Sequence, residues 1–150
     1  MALTVDALVT PAEASPSLLI RPPALLPGDT IGIVAPSYSP REDWLLRGVK
    51  ALERAGFSVA LDPELLTFRR FQRKEDERRA ENFMAMWVDQ RVKAIIGGTG
   101  GYGAARMLPY LEPELFRMNP KALVGYSDVT ALHLWLNRGA GLRTFHGPTV

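Results

Sequence analysis

Ser127 stands where a short apolar run gives way to a helical pattern, a place where a hydroxyl can become a nucleophile. Ala122 to Val124 has the length and β-branched character of a buried strand, and Gly125-Tyr126-Ser127-Asp128 follows as a turn. Val129, Leu132 and Leu136, with Ala131 and Trp135 beside them, then repeat at helical spacing. A strand, a tight turn and a helix meeting at one serine make a nucleophile elbow. The turn pushes Oγ outward and the helix N-terminus aims N–H groups at the same spot. Those N–H groups, Asp128 among them, lack intrahelical acceptors and can hold a developing oxyanion. The plainer reading of the same residues is that Ser127 or Asp128 caps the helix that follows.

A second chemical signal is Gly97-Gly98-Thr99-Gly100-Gly101-Tyr102-Gly103, the most unusual local composition in the chain. Gly98-x-Gly100-x-x-Gly103 matches the dinucleotide fingerprint literally. It follows the third predicted strand rather than the first, however, and the lysine of a phosphate-binding loop is missing. A better use for such a loop is to bring backbone N–H groups close to a substrate carbonyl, since glycine accepts positive φ and close contact. One loop N–H and the Asp128 N–H would together form an oxyanion hole for an acyl intermediate on Ser127.

Positioning these loops requires a parallel sheet. Thr30 to Ala35 reads as a buried first strand, introduced by Pro27-Gly28-Asp29 and ending in the loop Pro36-Ser37-Tyr38-Ser39-Pro40. Trp44, Leu45, Val49, Leu52 and Ala55 give a first helix stopped by Gly56, and Phe57 to Leu61 a second strand. Residues 63 to 79 carry Arg69, Arg70, Arg73, Lys74, Arg78 and Arg79 among Glu75, Asp76 and Glu77. They read as a solvated loop running into the polar face of a helix, with a basic substrate-contacting loop as the rival. Ala80, Phe83, Met84 and Trp87 form that helix's apolar stripe. Val92 to Ile96 is a third strand, and Ala104, Ala105, Met107 and Leu108 suggest a short helix. Pro109, Pro113 and Pro120 punctuate the connection to the elbow strand. Gly139 and Gly141 end the elbow helix, and Arg143 to His146 is a fifth strand. Strands alternating with helices predict an α/β fold, a parallel sheet with helices on both faces in three layers of Rossmann or flavodoxin-like type. The Ser37 loop, the glycine loop and the elbow then share the carboxyl edge of the sheet, where ligands sit in such folds.

Composition narrows the chemistry. The chain has 150 residues, 47% apolar and 23% charged, which suits one globular domain with a core. A net charge of +2 gives no electrostatic footprint for nucleic acid. With no cysteine there is no thiolate nucleophile and no cysteine–zinc site. The two histidines, His133 and His146, are a poor metal inventory, so neither metal nor cofactor is expected. Met1 to Pro23 has no basic n-region and is interrupted by Asp6 and Glu13, so it reads as an extended or disordered leader. No run reaches transmembrane length. A cytoplasmic location and no membrane partner are expected.

Several motifs in order resemble the N-terminal half of the LD-carboxypeptidases. These are Pro27-Gly-Asp-Thr30, Val34-Ala-Pro-Ser37, Gly100-Gly-Tyr-Gly103, Pro120-Lys121, Gly125-Tyr-Ser-Asp128 with Thr130-Ala-Leu132, and His146-Gly-Pro148. The resemblance covers residues 24 to 150. It implies a bacterial cytoplasmic serine peptidase that removes the terminal D-alanine of a murein tetrapeptide. A related branch confers immunity to microcin C-type antibiotics. By this resemblance Ser127 is the nucleophile and the Asp128 N–H serves the oxyanion hole. Gly101, or its neighbour Gly100, supplies the second donor, and Tyr102 and Ser37 border the peptide substrate. The family's glutamate and histidine belong to a second, C-terminal domain after this segment, and members often dimerise. His146 matches a family motif other than the triad histidine and reads as structural, while His133 lies nearly two turns beyond Ser127 and faces away from Oγ. Thr99 stands where the family usually has arginine. A nucleotide-binding or a non-catalytic muropeptide-binding module remains the alternative from another class.

Overall fold

The sheet places the three loops together because its strands are all parallel and their order reverses at β1. A computed structural model describes residues 19–67 and 73–150. Its strands are β1 (Thr30–Val34), β2 (Ser58–Leu61), β3 (Val92–Gly97), β4 (Ala122–Gly125) and β5 (Phe145–His146), in the order β2-β1-β3-β4-β5. Every pairing is parallel, with Ile33 opposite Ile96 and Val124 opposite Phe145. The chain runs from β1 outward to β2, then crosses back to β3 on the other side. The crevice beyond the carboxyl ends of β1 and β3 is therefore the topological switch point. Ile20, inside the stretch read as a leader, is extended and bridges Leu142. Residues 1–18 of that stretch, and Arg69 and Arg70 of the basic segment, lie outside the described residues.

The helices are α1 (Glu42–Arg54), α2 (Arg73–Val88), α3 (Ala104–Met107), α4 (Pro113–Met118) and α5 (Thr130–Trp135). Helix α1 has Glu42 and Asp43 in its first turn and Arg54 in its last, as the helix dipole favours. It buries Leu45 against Ile33, Ala35 and Leu65 on one side of the sheet. Trp44 does not join that stripe. It is exposed, with the Arg41 guanidinium 5.0 Å from its ring centroid, a cation–π contact that suits a ring at the surface. The larger cluster lies on the other side, where α2 to α5 pack on Val34, Ile95 and Leu123.

The stretch of prolines before β4 holds a helix that punctuation alone hides. Pro113 occupies the first turn of α4, where its missing N–H costs nothing and its fixed φ helps. That helix delivers Phe116 into the centre of the larger core, 4.9 Å from Trp87, 5.5 Å from Phe83 and 5.4 Å from Trp135 between ring centroids. Beyond α5 the chain widens into a π-helical turn, Leu136–Ala140, which contains Gly139. Gly141 alone ends it, left-handed at φ 66°. The fifth strand is shorter than expected, Phe145 and His146 only. No helix among the described residues is long and apolar enough to cross a membrane. Phe116→Ala should cost about 3–5 kcal/mol, as loss of a fully buried aromatic does. Denaturant unfolding measures it, and an unchanged midpoint would show that α4 does not close the core.

Candidate active site

Ser127 follows β4 by two residues and sits at φ 59°, the one non-glycine residue with positive φ among those described. That conformation costs of order 1–3 kcal/mol, so the surroundings must enforce it. Behind the turn, the Gly125 carbonyl accepts the Gly147 N–H at 3.0 Å and the His133 Nε2–H at 2.9 Å. A carbonyl only accepts, which fixes the tautomer with the proton on Nε2. His133 Nδ1 is then a buried lone pair without a partner among the described residues, and burial holds the ring's pKa below the usual histidine range. His133 is thus a neutral brace for the strand end. The His146 ring packs 6.4 Å from both His133 and Tyr126. Neither imidazole bonds to Ser127.

Neither Ser127 nor Asp128 caps the helix that follows them. The chain enters α5 through a 3-10 turn, Ser127–Val129, with no side-chain cap on either segment. The Asp128 carboxylate instead reaches across to two other loops. Its Oδ2 accepts the Ser37 hydroxyl at 2.7 Å and the Ala104 N–H, at the first turn of α3, at 2.8 Å. One carboxylate oxygen thereby ties together the loops after β1, β3 and β4. Ser37 is buried and supports the elbow.

The loop after β3 passes close to Ser127 and Tyr38, where side chains on its glycines would crowd both residues. A Cβ on Gly100 would stand 3.0 Å from Ser127 Cβ and 3.3 Å from its Oγ. Gly101, at φ 121°, faces the Tyr38 ring, and a Cβ there would come within 2.4 Å of it. The Tyr38 N–H donates to the Gly100 carbonyl at 3.4 Å, which turns that carbonyl toward the Ser37 loop. The N–H groups of Gly100 and Gly101 donate to no backbone carbonyl among the described residues. The Asp128 N–H lies in the first turn of its helix, where no intrahelical acceptor exists. Tyr38, Tyr102 and Tyr126 are exposed on the same loops and give the crevice an aromatic rim.

Arg73, Lys74 and Arg78 of α2 are exposed, as a solvated face requires, but two of its charged residues are what sequence reasoning missed. Asp76 and Arg79 are not on a solvated face; they are 3% and 2% exposed. Arg79 pairs with Asp76 and donates to the carbonyls of Pro36 at 3.3 Å and Ser37 at 3.0 Å. Asp76 also receives Arg106 of α3 at 2.6 Å. The signal was in the spacing: Asp76 precedes Ala80 by four residues, and Arg79 precedes Phe83 by four, which extends the buried stripe backward. Beyond β2, Asp62 is buried as well and accepts the Glu64 N–H at 2.9 Å and the Asn82 amide at 3.0 Å. Burial pushes its carboxyl up to about 6, partly opposed by the Asn82 hydrogen bond.

Residues 31–147 match the family described as LD-carboxypeptidase N-terminal domain. A Bacillus subtilis protein named "Probable murein peptide carboxypeptidase" is 36% identical over 134 residues, covering 89% of this chain and 42% of its own length. The microcin C7 self-immunity protein MccF of Escherichia coli is 34% identical over 137 residues, covering 89% of this chain and 39% of its own. A crystal structure of an MccF-like protein from Bacillus anthracis superimposes with a TM-score of 0.80 at 33% identity, over 87% of this chain and 40% of that one. The chain therefore spans about two-fifths of the length of these relatives.

Asp62 makes stability depend on pH in a defined direction. Its folded pKa, about 6, lies above the unfolded value of 3.8, so the folded state holds the proton more tightly. Stability should fall as pH rises between those values, and the whole cost of the buried charge is present above them. Asp62→Asn keeps an acceptor for Glu64 and Asn82 and should raise the thermal midpoint at about pH 8 but not at about pH 3.5. Equal shifts at both pH values would contradict this.

Proposed function

The chain belongs to the LD-carboxypeptidase family, whose N-terminal domain it carries, and from that premise we propose that it is the nucleophile-bearing domain of a serine peptidase. The carrying observation is Ser127, held at φ 59° on a strand-to-helix turn with the glycine loop against its Oγ. In this reading Ser127 Oγ attacks the carbonyl carbon of an amide between an L-configured centre and a terminal D-alanine. The Asp128 N–H and the N–H of Gly101, or of its neighbour Gly100, stabilise the oxyanion as it forms. D-Alanine leaves with a proton, and water then hydrolyses the ester on Ser127. Serine needs an adjacent base, and the proposed one is a histidine oriented by a glutamate, both from a second domain in the longer enzyme. Tyr102 borders the peptide, and the reaction belongs to recycling of murein tetrapeptide in the cytoplasm.

A second reading keeps the chemistry and changes the substrate. The likeness to MccF and to an MccF-like structure supports an immunity peptidase that cleaves a microcin C-type conjugate. The nucleotide-binding reading gains nothing from the geometry, because the glycine loop is packed against Ser127 and Tyr38.

In the longer enzyme Ser127→Ala should lower D-alanine release from murein tetrapeptide by roughly 10⁴-fold or more, as for other serine nucleophiles. Its unfolding midpoint should stay near that of the parent, since Ser127 is exposed. D-Alanine release at the parent rate would overturn the assignment. Cleavage of a microcin C-type conjugate with no D-alanine release by the parent enzyme would select the second reading.

A further inference from the structure

A pocket of about 390 Å³ opens at the opposite edge of the sheet from Ser127. It is bounded by Asp29 ahead of β1, Lys93 in β3 and Lys121 ahead of β4, with Pro23, Leu26 and Met118 as apolar wall. Leu26 and Met118 are 64% and 73% exposed, which leaves a sizeable apolar rim beside two ammonium groups. Lys121 is 6% exposed, yet among the described residues its Nζ makes one hydrogen bond, to the Asp89 carbonyl at 2.5 Å. An ammonium group has three N–H donors to place. Among the same residues Lys93 Nζ likewise donates only to a carbonyl, that of Gln90, at 2.8 Å. Among the described residues neither ammonium forms an ion pair. The nearby Asp89 carboxylate is occupied by Arg91, with contacts from 2.6 to 3.2 Å.

A buried cation without a counter-ion is costly, and a cavity beside it offers room for one. The volume lies in the range of small-molecule sites. Asp29 on the wall works against a doubly charged guest, and the apolar rim favours a guest with a hydrocarbon body. We propose that this pocket binds a small amphiphilic monoanion, its carboxylate on Lys121 and Lys93 and its apolar body against Leu26 and Met118. Burial pulls the Lys121 amine down to about 8, with Asp89 opposing and Lys93 adding to the shift. Asp29, Asp89, Lys93 and Arg91 are the other charged groups around it. The guest binds the ammonium form, so affinity falls as pH rises through the amine's range.

Titrating the 150-residue chain with sodium hexanoate, followed through amide NMR shifts, tests the site. Saturable shifts at Val92, Lys93 and Lys121 are expected at about pH 6.5, weakening several-fold at about pH 9.5 as the ammonium is lost. Lys121→Met should weaken binding by about tenfold or more, the scale of one charge-assisted hydrogen bond. Lys93→Gln alters an exposed side chain, leaves the fold intact and should weaken binding about threefold, which keeps the test open if Lys121→Met does not fold. Ser127→Ala should bind hexanoate unchanged, so this outcome is independent of the peptidase reading. No saturable shift, equal shifts with hexanol, displacement of hexanoate by equimolar sulfate, or full affinity in Lys93→Gln would each overturn the proposal.

Discussion

The hydrogen bonds to one carboxylate oxygen, Asp128 Oδ2, are what the rest of the site depends on. Ser37 Oγ and the Ala104 N–H converge on it from loops that follow different strands. Bonds to a charged acceptor are worth about 1.5–3 kcal/mol each, enough together to offset the cost of a residue held at positive φ. The residue that supplies the carboxylate is the neighbour of the strained serine. Its side chain therefore fixes the loops, while its own N–H lies in the first turn of the helix, where no intrahelical acceptor exists. The glycine loop lies close against Ser127, where a Cβ on Gly100 would crowd the serine side chain, and Asp128 holds the start of α3 in place.

Behind that contact lies a second charged layer. Arg79 reaches the carbonyls of Pro36 and Ser37, Asp76 neutralises it, and Arg106 brings α3 to the same carboxylate. Buried ion pairs of this kind add little net stability against an apolar replacement. Removing one partner, however, leaves an uncompensated charge that costs about 3–5 kcal/mol. Their contribution here is placement: α2 and α3 set the heights of the Ser37 loop and the glycine loop relative to the elbow. The aromatic packing of Phe83, Trp87, Phe116 and Trp135 anchors α2 and α4 beneath them.

Much of this was legible in the order of residues, for physical reasons. Strands buried on both faces must be short apolar runs, so Ile31–Val34, Ala94–Ile96 and Ala122–Val124 announce themselves. The alternation of strand and helix then puts Ser37, Gly100 and Ser127 at one edge without any coordinates. What stayed hidden is tertiary or positional. Asp128 resembles a local helix cap, yet it bonds a different helix, which no spacing rule reports. Pro113 reads as an interruption until its place at the start of α4 is known. Asp76 and Arg79 look solvated because charge is normally outside, and only the buried partners make them tolerable inside. Trp44 fits a helical stripe by period but faces water, since α1 buries a narrow face.

The central proposal is that the Asp128 carboxylate holds Ser127 and the proposed oxyanion donors in reactive register. The rate at which a fluorophosphonate labels Ser127 in the longer enzyme tests it most directly, with the labelled residue identified by peptide mass mapping. The account predicts that Asp128→Ala folds but labels at least about a hundredfold more slowly, the scale of losing oxyanion stabilisation. Labelling of Asp128→Ala at the parent rate would contradict it, because the serine and its donors would then be held in place without that carboxylate.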